Sequence, residues 1–343
     1  MKTLLSLFIF TLLFIGCEKD SDPITPPVDD RVSFEINFLQ YSDNNYFIDE
    51  VYTDTSVEIN TFNLYYGSIV PTILTKYIVK DIQVFISINQ ISQSYNSIIG
   101  CAYSNLPSRS ISNMYPDSLR SIMDPIPGQS EMAKFRLLSN GSDYIFHPET
   151  GYITFLFPLS DQDIIAAAYR VENNDWQNSD DLFYGEFISE LVNNSKTVGV
   201  LKLIKPKNLQ PTYETTWKLK MKNIYQITPY IGQVTNLDLD IYLKKSDGSE
   251  VNTINNIRLL EVFGFDRFNE EGAQNPDGKF DNRVGLNFNP ITAEIIFPKI
   301  QPFGNNIPSA LNDYKYQAIY DTVKSYLSLP GNSFVIKGKY MPI

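Results

Sequence analysis

Residues Leu237-Asp238-Leu239-Asp240-Ile241-Tyr242-Leu243 alternate apolar and polar side chains, and a period of two admits few folds. Successive side chains of a strand point to opposite faces, so such a run has one buried and one wet face. Val32-Ser33-Phe34-Glu35-Ile36-Asn37-Phe38 follows the same rule, as does Trp217-Lys218-Leu219-Lys220-Met221-Lys222. Ile82, Val84, Ile86 and Ile88 keep the period, although Phe85 interrupts the polar face. Strands with charge on one side belong in antiparallel sheets with one wet face. The fold class expected is mainly β: antiparallel, β-sandwich-like domains with a few short helices and one longer C-terminal helix. That helix is predicted from Pro308 to Leu329. Pro308 suits a first turn, Leu311, Ala318, Ile319, Val323 and Leu327 form a stripe, and Pro330-Gly331 stops it. Shorter helices are expected over Phe183–Leu191 and Ile257–Phe263.

One segment has an echo. Asp143-Tyr144-Ile145-Phe146-His147-Pro148-Glu149-Thr150-Gly151-Tyr152-Ile153-Thr154-Phe155 parallels the stretch from Val284 through Asn289-Pro290-Ile291-Thr292-Ala293-Glu294 to Pro298. Each reads as strand, x-Pro-x-Thr turn, strand. Pro sets one turn dihedral and Gly151 tolerates positive φ, whereas Ala293 in the second copy predicts a turn that can differ in type. Two copies point to a duplicated hairpin and not to a solenoid, which needs at least three repeats. Asp247-Gly248 reads as a hairpin turn.

The start of the chain is of another kind. Lys2, the apolar run Leu4 to Ile15 and the small Gly16 have the order of a secretory signal, and the run is too short to span a bilayer as a helix. Phe14-Ile15-Gly16-Cys17 resembles the lipobox of bacterial lipoproteins, which implies a lipid on Cys17. Two or three acyl chains would hold such a protein on a membrane. Residues 18–30 are acidic and Pro-rich, so they cannot bury a core and should act as a stiff spacer. An acidic run after the lipid-bearing Cys also resembles the surface-export signal of Bacteroidetes lipoproteins. The organisation expected is a signal peptide at 1–16 and a tether at 17–31. A β unit with an irregular connection follows at 32–130, and a second β domain at 131–343.

Several function classes are disfavoured. A formal charge of −11 argues against nucleic acid and against an electrostatic grip on anionic headgroups. Cys101 is the only thiol besides Cys17, so no intramolecular disulfide is expected once Cys17 carries lipid. The single histidine, His147, lies where a strand runs into a turn and reads as structural. G-x-S-x-G, phosphate-loop, H-E-x-x-H and C-x-x-C patterns are lacking, so neither a catalytic residue nor a cofactor is expected. The adjacent acids Asp180-Asp181 and Glu270-Glu271 read as solvated loops. Asn275-Pro276-Asp277-Gly278-Lys279-Phe280-Asp281-Asn282 offers oxygen ligands around a Gly turn, with Asp277 and Asp281 as candidates for Ca²⁺. The EF-hand spacing is absent, and a plain Asp-Gly turn is the preferred reading.

From residue 130 onward the order of short motifs is similar to one family. These are the Tyr144-to-Phe155 hairpin, Asp163-Ile164-Ile165-Ala166-Ala167-Ala168-Tyr169, Gly185-Glu186-Phe187 and Val200-Leu201-Lys202-Leu203-Ile204-Lys205. Trp217 to Tyr225, Phe265-Asp266-Arg267-Phe268-Asn269, Gln301-Pro302-Phe303-Gly304 and Phe334 to Tyr340 follow. Together they resemble the N-terminal domain of SprA, the outer-membrane translocon family of type nine secretion and gliding motility in Bacteroidetes. Family members are several times longer and close a giant pore. This chain reaches Ile343 before any pore could follow, and is therefore not expected to be the channel. The resemblance implies a non-enzymatic, lipid-anchored outer-membrane protein, at the cell surface or the periplasmic face, with translocon or gliding proteins as partners. The alternative expected from composition is a surface lipoprotein that binds glycans through some of its 22 Phe and 22 Tyr residues.

Overall fold

The alternating runs become strands, and their apolar faces meet in two large clusters and a smaller one inside a closed sheet. The computed structural model describes residues 29–53, 56, 58–88, 96–111, 113–173, 177, 180–228 and 232–343. In the first half lie β1 (Val32–Asn37), β2 (Asn45–Phe47), β3 (Val79–Ile88), β4 (Ser97–Tyr103) and β5 (Ser130–Leu137). They are followed by β6 (Tyr144–His147), β7 (Tyr152–Phe155), β8 (Ile165–Val171) and β9 (Leu182–Tyr184). The second half has β10 (Val198–Lys205), β11 (Ile224–Gln226), β12 (Val234–Lys244), β13 (Glu250–Val251), β14 (Thr253–Ile254) and β15 (Ile257–Arg258). It ends with β16 (Phe288–Asn289), β17 (Glu294–Ile296) and β18 (Ser333–Pro342). The α-helices are short: α1 (Thr61–Tyr66), α2 (Ile188–Asn193), α3 (Glu214–Leu219), α4 (Leu259–Val262) and α5 (Ala318–Asp321). The fold is mainly β.

Strands β10, β4, β5, β3 and β8 are neighbours in that order, and β8 pairs again with β10, so the sheet closes on itself. One residue parity from each strand fills the interior: Phe85, Ala102, Phe135, Ala166, Ala168, Leu201 and Leu203. A ring of five strands leaves little room, which explains the alanines. It also explains Gly100, where an added Cβ would come within 3.0 Å of both Leu201 and Phe135. The opposite face of β8, with Ile165, Ala167 and Tyr169, packs on the hairpin residues Tyr152, Ile153 and Phe155.

The echoed hairpin is part of a larger duplication. Strand β2 flanks the β6–β7 hairpin in the order β2-β7-β6, and β11 flanks β16–β17 in the order β11-β17-β16. Equivalent bonds recur: Ile48 N to Gly151 O and Ile227 N to Ala293 O, both 2.9 Å, and Phe155 N to Asn44 O and Phe297 N to Asn223 O, both 2.9 Å. The copies face each other through a reciprocal pair, Met221 N to Asn45 O at 3.0 Å and Ser42 N to Ile224 O at 2.7 Å. The sheets repeat too. Each half lends its first strand to a sheet of the other, β1 pairing with β18 and β10 with β8, and β18 and β8 also pair with β12 and β3 of their own halves.

Several expectations are corrected. Residues on both sides of 130 share the closed sheet, with β4 and β5 paired from Ser97↔Arg136 to Tyr103↔Ser130, and Arg31–Ile343 forms one compact unit with no division at 130. The long C-terminal helix is three short turns instead, at Ser309–Tyr314, α5 and Lys324–Tyr326. Its backbone is committed elsewhere: Tyr316 N–H bonds Phe303 O, and Trp217 Nε1 and Lys222 Nζ both bond Tyr320 O. Trp217 to Lys222 is not a strand. It contains the end of α3, whose Trp217 N–H reaches Tyr213 O at 2.8 Å, because so short an alternating run cannot fix its own period. Of the two shorter helices, only Ile188–Asn193 and Leu259–Val262 are helical, with Phe183 in β9 and Ile257 in β15.

Candidate functional site

β1 forms one edge of the four-stranded sheet β1-β18-β12-β13. β1 pairs in unbroken register with β18, from Val32↔Tyr340 to Asn37↔Val335. Phe38 N–H bonds Phe334 O, so the even-numbered residues carry the ladder and Ser33, Glu35 and Asn37 turn their N–H and C=O outward. Gln40 takes both groups of Asn37, its Oε1 accepting at 2.8 Å and its N–H donating at 2.9 Å. Ser33 and Glu35 are exposed. Among the described residues no strand lies beyond them.

Side chains sort by parity. Ile36 is buried and Phe34 half-buried against the core, with Val32 on their side at 45% exposure, so the apolar row loses its cover toward the tether. On the other face Glu35, Lys337 and Asp240 stand opposite one another across three strands. Lys337 lies 2.7 Å from Glu250 and 3.3 Å from Glu35, and its bonds to Glu250 and then to Glu35 raise its pKa above the ordinary lysine value. Arg258 pairs with Asp240. Glu35, Lys337, Asp240 and Arg258, with Lys339 and Asp238, line an open groove of about 810 Å³.

The residues singled out from sequence fall elsewhere. Cys17 lies outside the described residues. In the proposed calcium loop the carboxylates are turned to backbone amides. Asp277 Oδ1 accepts from Lys279 N and Oδ2 from Glu270 N, while Asp281 Oδ2 accepts from Arg267 N at 2.6 Å and Phe268 N at 3.2 Å. Burial raises the Asp281 pKa. Asp266, which sequence reasoning passed over, organises the turn by accepting from Asp277 N and Gly278 N, both at 2.9 Å. Among the described residues no three acids, histidines or cysteines converge as a metal site. His147 stacks on Tyr152 at 3.9 Å with Nε2 3.3 Å from Thr154 Oγ1, and this desolvation pulls its pKa down to about 3. Cys101 is a buried free thiol packed as a small side chain. Glu270 and Glu271 are exposed as expected, but Asp181 is buried, 3.3 Å from Lys80 and 3.4 Å from Arg170. That is a correction to the solvated-loop reading.

No family model matches this chain, and no curated protein does.

Sequence reasoning also missed the buried polar groups between the two hairpins. Asn45 Nδ2 donates to Glu294 Oε1 at 2.8 Å, Thr292 Oγ1 donates to Glu294 Oε2 at 2.7 Å, and Thr154 Oγ1 donates to Asn45 Oδ1 at 2.6 Å. Burial raises the Glu294 pKa. Lys222 is likewise buried, with its ammonium 3.8 Å from the centre of the Trp217 ring and bonded to Tyr320 O at 3.1 Å. Desolvation, and then the neighbouring charge of Lys220, pull its pKa down to about 7. The aligned echo is the one sequence signal that pointed to Glu294, which takes the place of Tyr152. Nothing local marked Lys222. Asn45, Thr154, Thr292 and Glu294 hold the two halves together, whereas Lys222 bonds within the second half, and a satisfied buried network of this kind specifies one packing.

Proposed function

We propose that the chain is a non-enzymatic outer-membrane lipoprotein that acts by protein contact, as an accessory or paralogous component of the type nine secretion and gliding apparatus. The observation that carries contact as the mode of action is the edge of β1, beyond which no strand lies among the described residues and which follows directly on the segment read as the tether. Edge strands are normally blunted by Pro, Lys or a bulge, because an open row of donors and acceptors recruits other strands. Val32–Asn37 contains neither Pro nor Lys and pairs with β18 without a shift of register. A lipid on Cys17 would hold this edge in the plane of the membrane, raising its effective concentration toward any membrane partner. The assignment to secretion and gliding rests on the resemblance of the ordered motifs to the SprA N-terminal domain.

The glycan reading is less well supported. A sugar platform needs aromatic faces open to solvent. The largest fully buried side chains here are all Tyr and Phe, and among the described residues Tyr326 is the one aromatic in the exposed class. Cross-linking of the lipidated protein in cells should recover type nine translocon or gliding components, and deletion should change the surface display of secreted cargo. Recovery of glycan-uptake proteins alone, with micromolar binding to a polysaccharide, would overturn the proposal.

A further inference from the structure

The two halves of the duplication differ beside the strand that each lends to the other. In the first, β10 lies between β8 and β4, and β4 runs parallel to it from Val198↔Ile99 to Lys202↔Tyr103. In the second, β1 holds the place of β10 beside β18, and the place of β4 is taken by no strand among the described residues. Closure of the first sheet shows what geometry this topology accepts on that side. We propose that β1 is completed by an extended segment of a partner polypeptide, lying parallel to β1 as β4 lies parallel to β10. The inference rests on the contact reading above and names the mode of contact.

The chemistry of the segment follows from the side chains it would continue. Main-chain groups of Ser33 and Glu35 supply the hydrogen bonds, and alternate side chains supply specificity. Beside Val32 and Phe34 the segment presents apolar residues, which cover the part of the row now exposed. Beside Ser33 and Glu35 it presents a basic residue. The Glu35 side chain is 55% exposed, its carboxylate lies 3.3 Å from Lys337, its one salt-bridge partner among the described residues, and Lys337 is held more closely by Glu250. An incoming cation therefore finds an available anion at the edge. The partner is a strand that alternates apolar with basic residues.

The test uses the full chain and a short peptide alternating Val and Lys, with a benzophenone group at one end or the other. After irradiation, the N-terminal probe should mark residues near Val32 and the C-terminal probe residues near Ile36. A peptide alternating Val and Glu should bind less well. Glu35→Pro removes an outward N–H that the ladder to β18 does not use, and Pro is tolerated on edge strands. It should weaken binding about tenfold, the effect of one hydrogen bond, while the melting temperature stays near that of the parent. If Glu35→Pro does not fold, Glu35→Lys keeps the N–H and should reverse the preference between the two peptides. Labels elsewhere on the chain, or failure to bind the Val–Lys peptide, would overturn the inference. So would binding that neither substitution changes, and exchanged end positions would overturn the parallel orientation. Successful peptide mapping with no translocon component recovered from cells would remove the secretion assignment and leave strand docking in place. The converse would remove strand docking alone.

Discussion

Gly151 and Ala293 occupy the same left-handed position of two duplicated turns, at φ of 64° and 53°, and the carbonyl of each accepts a 2.9 Å bond from Ile48 or Ile227, the residue just after the flanking strand. The sequence allows the Ala293 turn to differ in type; both residues are nonetheless left-handed, the conformation that glycine adopts freely.

The two positions should respond unequally to exchange. Gly151→Ala adds a Cβ that would meet the Tyr52 ring at 2.5 Å and strains a positive φ, so a loss of about 2 kcal/mol or more is expected. Ala293→Gly relieves strain of about 1 kcal/mol and gives up a buried methyl worth a similar amount, leaving stability within about 1 kcal/mol of the parent. Urea unfolding of both variants checks this.

His147 should make the fold acid-sensitive well above the carboxylate range. Its pKa is lowered from 6.5 to about 3, so as pH falls below about 6.5 the unfolded chain gains a proton that the folded chain refuses. Stability from this group is present above that pH and is lost as pH falls, at up to about 1.4 kcal/mol per unit. Glu294, whose pKa is raised, acts in the opposite sense. The readout is therefore the difference between parent and His147→Phe, which keeps the stack on Tyr152 without titrating. The parent should lose stability relative to the variant between pH 6.5 and pH 4.5, and parallel curves would contradict the assignment.

Lys222 should cost stability at neutral pH. With its pKa lowered from 10.5 to about 7, the folded chain releases a proton between those values while the unfolded chain keeps it, so this group's contribution improves as pH rises. Lys222→Met keeps the length and removes the charge. It should stabilise by about 1–3 kcal/mol near pH 6.5, with the gain shrinking toward pH 10. A destabilised variant at pH 6.5 would mean that the bond to Tyr320 O outweighs the burial of charge.

Cys17→Ser should abolish lipid attachment and membrane retention. Among the described residues no helix is long and apolar enough to cross a membrane. Incorporation of labelled palmitate into the substituted protein would contradict the anchor assignment.

The amino-acid pattern by itself determined β1, β3 and β12 as strands, because alternation at period two is written locally and needs no partner to be read, whereas the closed sheet decided that β3 is buried on both faces. It also determined both hairpin turns, through Pro148 and Pro290 at equal distances from Gly151 and Ala293. Tertiary structure decided the rest. Trp217 to Lys222 has a strand's alternation but begins in a helix, since Trp217 and Leu219 are both buried there, the Trp217 N–H bonds Tyr213 O and its indole Nε1 bonds Tyr320 O. The stripe from Leu311 to Leu327 has spacing suited to a helix but breaks into turns, because Phe303, Trp217 and Lys222 take the hydrogen bonds a helix would use. The edge of β1 belongs with these. Val32–Asn37 reads as a strand in any context, but whether one or two strands flank it depends on chain ends about 300 residues apart meeting across β18, and contacts at that separation are set by the packing of the whole fold.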